Sequence, residues 1–342
     1  MKILLLLDTR NDIRNDIIKE LKILGYQVFA IPYNENFKLT FFQKIINLIY
    51  RFLFRSDQYL IKKKRDFVNY INKKEKQDLI KHSQYDFTLI FRADLIPEDK
   101  LKLYRSLSKK MIAYQWDGIE RYPNFKSQIA FFDQIFCFDP SDEKLPTIKF
   151  LPNFYLKNIQ TLSENKIAYD IIYIGYYYED RYQLLEKIAK QYPNLKTKFI
   201  LKTFTEEQDE IVNRANFLTH ISKIYSYQEM IEEQSKSKII FDIKHEAHDG
   251  LSFRFFEAMA LKRKIITTNV SVKNYDFYSP NNILILEDDN FNEIATFINL
   301  PYQEISPDIL AKYSFENWLN ILINSDKQID IANPLNIDYQ YN

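Results

Sequence analysis

The chain has 342 residues, of which 46% are hydrophobic, and its formal net charge is +1 at pH 7. So much apolar sequence is enough for two ordinary domains with cores of their own, and the balanced charge excludes a global field that would attract nucleic acid. The single cysteine, Cys137, excludes an internal disulfide, and its apolar neighbours predict a buried, unreactive thiol.

The chain opens on an apolar run at 2–7, with Asp8 and Arg10 close behind. This run is too short for a signal peptide or a membrane-spanning helix, and no other stretch reaches spanning length without charge. A cytoplasmic location is therefore expected.

Strand-like and helix-like runs alternate through the first half of the chain. A helical stretch at 11–24 carries Ile13, Ile17, Leu21 and Leu24 on one face. The predicted strands are 2–7, 27–32, 86–91, 109–115, 134–138 and 148–152. This alternation is typical of a parallel, doubly wound sheet, and the first strand–helix–strand unit lacks the glycine-rich turn of a dinucleotide site.

Polar residues follow these strands where each one ends. They are Asp8, Arg10, Arg92, Asp94, Gln115, Asp117 and Asp139. The carboxyl ends of parallel strands share one edge of the sheet, where ligands bind. Asp94 and Asp139 are better explained as helix caps, whereas Asp117, beside Trp116 and Gly118, is assigned to the cleft.

Residues 37–55 contain no acidic residue and a dense set of apolar and aromatic ones. Their basic residues are Lys38, Lys44, Arg51 and Arg55, and LIKKKR follows at 60–65. Two interpretations have equal weight: a buried helix, or an interfacial helix on an anionic membrane leaflet. Nucleic acid is a weaker candidate partner, because no recognised binding motif accompanies the charge.

A polar stretch at 153–168 predicts a linker, and a second alternating series follows it. Its predicted strands are 170–175, 196–201, 239–243, 264–268 and 282–286, and its predicted helices lie near 180–191, 206–215, 227–236, 252–261 and 291–298. Residues 308–324, with Trp318, predict a closing helix, and the tail from 326 is polar. The predicted architecture is two doubly wound halves joined by the linker.

The stretch from 238 to 268 reads as strand, polar loop, helix and strand. The loop contains His245, Glu246, His248, Asp249 and Gly250. Gly250 is one of four glycines in the chain, so it is expected where the backbone bends or approaches something closely. The helix that follows presents unpaired N–H groups and a partial positive charge, which suit a phosphate.

Glu257 is the unusual residue of that helix, because it lies beside the apolar face formed by Phe253 and Phe256. A carboxylate in that position needs a partner. One interpretation is a surface ion pair with Arg254, and the other is a carboxylate that binds the hydroxyls of a ligand. Spacing alone slightly favours the ion pair.

Residues 245–269, HEAHDGLSFRFFEAMALKRKIITTN, resemble the donor-binding segment of GT-B glycosyltransferases. In that family an acidic residue, seven residues and a Glu lead into EAMA. Here the pair is Asp249 and Glu257, and Asp249 departs from the usual Glu. Residues 169–188 resemble the opening strand and loop of the GT-B carboxyl-terminal domain. The phrases YQWDGIERYP and FDQIFCFDPSD resemble the CgeB-like and lipopolysaccharide-core transferase branch.

The resemblance implies an α/β protein with the GT-B fold, in which two doubly wound, Rossmann-like domains face each other across a cleft. The implied divisions are an acceptor-side domain at 1–155, a nucleotide-sugar-binding domain at 168–305, a closing helix at 306–325 that packs on the first domain, and a tail at 326–342. The implied activity is sugar transfer from a nucleotide-sugar donor to a glycan or lipid-linked acceptor in cell-surface polysaccharide biosynthesis. No metal or other cofactor is expected.

The resemblance also implies roles for particular residues. The donor-binding set is Gly175, Arg181, Lys202, His245, His248, Gly250, Leu251, Ser252 and Glu257. Gly175 begins a loop that faces the diphosphate, Arg181 and Lys202 supply positive charge, and Glu257 binds the ribose hydroxyls. Asp249 contacts the donor sugar. Asp117, the candidate base of an inverting enzyme, is the other predicted catalytic residue.

Some of these assignments have alternatives. Arg181 could form a surface ion pair with Glu179 or Asp180. His245 and His248 could hydrogen-bond sugar or phosphate as neutral rings, whereas as metal ligands they lack a clear third partner. For the whole protein, the alternatives are a non-hydrolysing nucleotide-sugar epimerase of the same fold, or a non-catalytic sugar-binding or assembly protein.

Overall fold

The computed structural model describes residues 1–8, 12–33, 39–81, 84–221, 223, 225–287, 291–324 and 331–335. The predictions that fall on Arg10, on Lys38 and on most of the tail from 326 lie outside these residues.

A six-stranded sheet occupies the first half of the described chain. Its strands are β1 Lys2–Asp8, β2 Gln27–Tyr33, β3 Tyr85–Phe91, β4 Ser108–Gln115, β5 Gln134–Cys137 and β6 Ile148–Phe150. They lie in the order β2-β1-β3-β4-β5-β6, and each pairing is parallel. The accompanying helices are α1 Ile13–Ile23, α2 Phe41–Phe54, α3 Gln58–Lys81 and α4 Glu98–Leu107, with 3-10 turns at Ala93–Leu95, Ile119–Arg121, Pro123–Phe131, Pro140–Lys144 and Lys157–Leu162.

A five-stranded sheet follows. Its strands are β7 Tyr169–Tyr176, β8 Thr197–Lys202, β9 Ser237–Asp242, β10 Lys264–Thr267 and β11 Ile283–Ile285. They lie in the order β11-β10-β9-β7-β8, again with parallel pairings. The helices are α5 Glu179–Gln191, α6 Glu206–Arg214, α7 Tyr227–Ser235, α8 Phe253–Leu261, α9 Glu293–Phe297, α10 Pro307–Lys312 and α11 Phe315–Ile323, with a 3-10 turn at Val270–Asn274.

Both sheets are doubly wound. Strand β1 lies between β2 and β3, and β7 lies between β8 and β9, so each sheet grows in both directions from its first strand. These reversal points are where ligands bind at the carboxyl edge of such sheets. The predicted α/β fold with two doubly wound parallel sheets is confirmed.

The apolar run of β1 shows how the sequence specifies a central strand. Its residues from Ile3 to Leu7 have no exposed surface. In a parallel sheet, helices cover both faces, so a central strand is apolar at consecutive positions rather than alternating ones. The Cys137 thiol at the end of β5 is also buried, and burial raises its pKa, as an unreactive structural cysteine requires.

The chain crosses between the two halves through packed segments. Residues 151–156 are buried, although the polar stretch from 153 had suggested a linker. Tyr155 pairs with Ser314, where the chain returns to the first half. The Tyr155 N–H donates to the Tyr313 carbonyl at 3.0 Å, and the Phe315 N–H donates to the Tyr155 carbonyl at 3.0 Å. The division of the chain into domains at these positions stays a prediction.

Helix α11 follows the second sheet but packs on the first. The ring of Trp318 stacks on Phe91 of β3 at 5.7 Å and meets Tyr114 of β4 edge-on at 4.8 Å. Phe154, from the crossing segment, lies 4.5 Å from the same ring. The aromatic cluster therefore joins β3, β4, the crossing segment and α11.

Helix α2 is the exception to this burial. Of its residues only Asn47 is buried, whereas Phe42 is 75% exposed and Phe52 is 86% exposed. The interpretation of 37–55 as a buried helix is therefore wrong for the described part, Phe41–Phe54. In the part of the chain that the structure describes, every helix is too short or too polar to cross a bilayer.

Candidate functional site

Two adjoining cavities open at the carboxyl ends of β7, β8 and β9. Cavity A, of about 380 Å³, lies against the polar loop that precedes α8, and Arg121 of the first half also lines it. Cavity B, of about 450 Å³, lies against the ends of β7 and β8. Tyr176, Arg181 and Arg254 line both. Together they occupy the reversal point of the second sheet, at the carboxyl edge where ligands bind in such sheets.

The structure brings some of the sequence-predicted residues together and leaves others apart. Those that line cavity A are Arg181, His245, His248, Gly250 and Ser252. Those that line cavity B are Gly175, Arg181 and Lys202. Asp117, Asp249, Leu251 and Glu257 line neither cavity. All of the predicted roles in binding or catalysis stay predictions.

Cavity A is rich in positive charge. Its basic side chains are Arg121, Arg181, Lys244 and Arg254. Helices α5 and α8 both begin beside it, and neither first turn receives a side-chain cap. In α8, the hydroxyl of the N-cap residue Ser252 donates instead to Asp242 at 2.6 Å. Unpaired N–H groups at helix starts, next to cations, form a site for an anion such as phosphate.

Arg181 is the cation least engaged by protein. It forms no ion pair with a carboxylate of the described residues, and its guanidinium lies over the Tyr178 ring at 4.7 Å. The Glu179 carboxylate is engaged elsewhere, by the Tyr177 hydroxyl at 2.7 Å and by Gln183. The alternative of a surface ion pair with Glu179 or Asp180 is therefore wrong.

His245 and His248 stack on one another, with ring centroids 5.6 Å apart. Burial lowers the pKa of both rings, and Arg121 lowers that of His245 further, so both are neutral at pH 7. The Nδ1 atom of His245 accepts the Ala247 N–H at 3.1 Å. Its proton therefore lies on Nε2, where it can donate to a phosphate or sugar oxygen.

Glu257 is fully buried, with 0% of its surface exposed. Neither carboxylate oxygen has a hydrogen-bond partner among the described residues. Burial raises the pKa of Glu257 to about 7, although Arg254 and then Tyr227 act to lower it. Arg254 forms its ion pair with Asp242, at 3.3 Å, and donates to the Ile174 carbonyl at 2.7 Å. The predicted surface pair between Arg254 and Glu257 is therefore wrong.

Asp117 is held by two arginines. Arg92 and Arg121 bind its two carboxylate oxygens, Arg121 at 3.3 Å. Arg92 also binds Asp94 through two hydrogen bonds of 2.7 Å. Asp94 thus pairs with an arginine and does not cap the helix that follows, contrary to the prediction. With both oxygens engaged, Asp117 is an ion-pair partner in this structure.

The loop before α8 is fastened to the first half. The Asp249 N–H donates to Asp139 Oδ2 at 3.1 Å, and the Asn153 amide donates to the Leu251 carbonyl at 3.0 Å. Asp139 also caps the turn Pro140–Lys144, as predicted. The Asp249 side chain forms an ion pair with Lys244 at 2.6 Å. This loop is therefore both a wall of cavity A and one of the contacts between the halves.

Gly250 is required by close packing. A Cβ atom added there would lie 2.6 Å from the Phe138 carbonyl oxygen, which is closer than atoms can approach. The expected close approach is confirmed, and its partner is the protein's own first half.

No protein-family profile matches the chain, and no curated protein sequence matches it. Among solved structures it is similar to AviGT4, a glycosyltransferase involved in Avilamycin A biosynthesis, with a TM-score of 0.51, 9% identity, and coverage of 95% of this chain and 98% of that one. The chain has the GT-B fold. A second similar structure is T4 phage BGT in complex with UDP and Mn²⁺, with a TM-score of 0.47, 13% identity, and coverage of 95% and 100%.

Within this GT-B fold, sequence reasoning missed several residues of cavity A. They are Arg121, Tyr176, Tyr178, Phe204, Asp242, Lys244 and Asn269. A signal existed for Asp242, since it lies next to the end of the predicted strand 239–243, close to where the polar residues of the first sheet lie on their strands. Among the described residues, no group of three or more His, Cys, Asp or Glu side chains could hold a metal ion.

Proposed function

We propose that the protein is a glycosyltransferase that moves a sugar from a nucleotide-sugar donor to a glycan or lipid-linked acceptor. One observation carries this proposal. Cavity A, at the reversal point of the second sheet, combines four basic side chains with the uncapped starts of α5 and α8. A nucleotide diphosphate needs such groups, first to bind and then to leave as an anion.

The donor occupies both cavities in this proposal. Arg181 and the start of α8 bind the diphosphate in cavity A, where Ser252 and Gly250 form the wall. Gly175 and Lys202, which line cavity B, contact the rest of the nucleotide. Arg181 lines both cavities, which suits a phosphate-binding side chain between the two parts of the donor.

Glu257 binds the ribose hydroxyls in the proposed complex. Its two buried oxygens have no partner among the described residues, and buried polar atoms are rarely left in that state. Two sugar hydroxyls would supply both missing donors. Arg254, one turn earlier on the same helix, lines both cavities, which places Glu257 next to the proposed donor site.

Other groups face the transferred sugar and the acceptor. Neutral His245 donates from Nε2 to a donor oxygen, and His248 lies beside it. Asp249 contacts the donor sugar, after release from Lys244. Asp117 serves as the base towards the acceptor hydroxyl only if Arg92 and Arg121 release one of its oxygens. No metal or other cofactor is proposed.

The proposal extends to the biosynthetic pathway and the cellular location of the protein. We assign the protein to cell-surface polysaccharide biosynthesis, in the CgeB-like and lipopolysaccharide-core branch, on the resemblance of YQWDGIERYP and FDQIFCFDPSD. A lipid-linked acceptor is held at a bilayer, so the proposed location is the cytoplasm, at the inner face of the membrane.

Two experiments test the function. A thermal-shift screen of UDP-, GDP-, ADP- and CMP-sugars identifies the donor, which raises the unfolding temperature by binding the native state. Incubation with the radiolabelled donor and a glycan acceptor then gives transfer. Interconversion of the free sugar nucleotide would instead indicate the epimerase, and binding without either reaction would indicate the non-catalytic protein.

Glu257→Gln tests the assignment of the donor site. Hydrogen bonds to a charged group contribute about 1.5–3 kcal/mol, so the variant should bind the best nucleotide at least about tenfold more weakly. Glu207→Gln, at an exposed position on α6, is the matched control and should bind normally. Equal affinity of Glu257→Gln and the wild type in calorimetric titration would remove this stretch as the donor site.

A further inference from the structure

Helix α2 exposes apolar side chains that a protein in water normally buries. The most exposed are Phe41, Phe42, Leu48, Phe52, Leu53 and Phe54. On one side the helix packs against α3, where the Tyr50 ring lies 5.4 Å from the Tyr59 ring. A contiguous apolar surface of this kind marks a site of interaction with a protein or a membrane.

The exposed residues form a regular face. Phe41, Ile45, Leu48 and Phe52 are spaced four, three and four residues apart, so they share one side of the helix. Phe42, Ile46, Ile49 and Leu53 form the adjoining row with the same spacing. These two rows point away from the contact with α3, and they define the face discussed below as the α2 face.

Basic residues border the α2 face. Lys44, Arg51 and Arg55 are spaced seven and four residues apart and therefore line one flank of the helix. The first turns of α3 add Lys62, Lys63, Lys64 and Arg65. Between residues 40 and 65 the one acidic residue is Asp57, which pairs with Arg51 at 3.1 Å. The surroundings of the α2 face are therefore strongly cationic.

We propose that the α2 face docks onto the surface of an anionic lipid bilayer. The aromatic and aliphatic rows enter the boundary between headgroups and acyl chains, and the flanking cations reach the lipid phosphates along their apolar stems. The positive charge around the α2 face distinguishes between two possible partners, a second copy of the chain and a lipid surface. A second copy of the chain would bring the same cations against one another, whereas an anionic leaflet offers every one of them a phosphate.

Local signals define both ends of α2, and of its residues only Asn47 is buried. The Thr40 hydroxyl accepts the Gln43 N–H at 3.4 Å, and the Gln43 side chain accepts the Thr40 N–H at 3.0 Å, which together make a capping box. Arg55, in the left-handed conformation, ends the helix. Substitutions on the outer face therefore leave the fold intact, so their effects report on docking.

Sedimentation of the full-length chain with vesicles tests the proposal. We expect binding to phosphatidylcholine vesicles that contain about one third phosphatidylglycerol and weaker binding to pure phosphatidylcholine. The variant Lys44→Glu/Arg51→Glu/Arg55→Glu should bind the anionic vesicles about 100-fold more weakly, since each cation near such a surface contributes roughly a factor of five. The variant Lys149→Glu/Lys157→Glu/Lys166→Glu changes the net charge equally at exposed positions elsewhere and should bind as the wild type does.

A tryptophan probe distinguishes insertion from simple charge attraction. Phe52→Trp should shift its emission to the blue and be quenched by brominated acyl chains, because residue 52 lies on the α2 face. Two results would overturn the proposal: no sedimentation of the wild type with anionic vesicles, or equal binding by the triple Glu variant. Dimerisation that Leu48→Ser/Phe52→Ser abolishes, without vesicle binding, would assign the α2 face to a second copy instead. Both readouts are independent of sugar transfer, so the inference does not rest on the proposed function.

Discussion

At the scale of single residues, the burial of Glu257 carries a cost to the stability of the folded protein. Burial disfavours the ionised form of this carboxylate more than Arg254 and Tyr227 favour it, which is why its pKa rises to about 7. The folded protein therefore retains a proton that the unfolded chain would release at a lower pH.

This proton uptake predicts a pH-dependent stability. Between the usual pKa of 4.5 and the folded value of about 7, the native state binds more protons than the unfolded state. The contribution of Glu257 to stability therefore falls as pH rises through this range, by about 3 kcal/mol in total. Glu257→Gln removes the titrating group, so its stability relative to the wild type should rise from pH 4.5 to pH 7 and then level off.

Urea unfolding of both proteins at a series of pH values measures this difference. Glu207→Gln provides the control and should show no such trend relative to the wild type, because that side chain is exposed. A constant difference between Glu257→Gln and the wild type across the range would mean that water or a polar rearrangement solvates the carboxylate.

The sequence predicted the unusual character of Glu257 but not its surroundings. Its position beside Phe253 and Phe256 follows from helical spacing, which is a local property. The engagement of Arg254 with Asp242 and the Ile174 carbonyl depends on how three strands and a helix end together. The same limit applies to Asp94, since its pairing with Arg92 depends on the geometry of a loop.

At the scale of elements, α11 is the helix that joins the two halves. Trp318 lies in the centre of a ring cluster with Phe91, Tyr114, Phe154 and Phe315. Only one of these rings, Phe315, belongs to the same helix. Removing Trp318 therefore opens a cavity where β3, β4 and the crossing segment meet.

We expect Trp318→Ala to destabilise the protein by about 3–5 kcal/mol, as for other large-to-small changes in a packed core. Trp318→Phe keeps a ring in the cluster and should cost clearly less. Denaturant midpoints of the two variants and the wild type measure these losses. A cost below about 1 kcal/mol for Trp318→Ala would show that α11 contributes little to holding the first sheet.

The elements also differ in how far the sequence determines them. Strands such as β1 follow from consecutive β-branched and aliphatic residues, and the alternation with helices determines that they pair in parallel. The sequence pattern of α2 is that of an apolar helix, and it would be the same for a helix in the protein core or on a membrane surface. Whether such a helix meets core, lipid or water depends on tertiary packing, so its exposure became known only from the structure.

At the scale of the whole molecule, the two sheets share the larger of the two buried clusters that the described residues form, whereas the smaller one lies within the second half. The larger buried cluster includes Leu5 and Phe91 of the first half, Phe256 and Ile265 of the second, and Trp318 of α11. Such continuity means that neither half keeps all of its buried surface when the other unfolds.

We therefore expect a single unfolding transition. Scanning calorimetry should give a calorimetric enthalpy equal to the van't Hoff enthalpy, and the donor nucleotide at about 100 times its Kd should stabilise the whole molecule by about 2.7 kcal/mol. Two resolved peaks, of which the nucleotide shifts only one, would show that the halves unfold independently. The sequence predicted two similar halves, but it gave no sign of a shared core, because the contacts that form it are distant along the chain.

The paired crossing at Tyr155 and Ser314 has a mechanical consequence. Two passages of the chain between the halves lie within the described residues up to 324, and they are hydrogen-bonded side by side at this point. A single connecting segment would allow the two halves to rotate relative to each other in any direction. Two adjacent connecting segments restrict this motion to bending about one axis. The cleft that contains cavities A and B should therefore widen and narrow along one path. Single-molecule energy transfer between dyes on the two halves would then vary along one coordinate. Binding of a donor nucleotide would shift the population toward molecules with a narrow cleft.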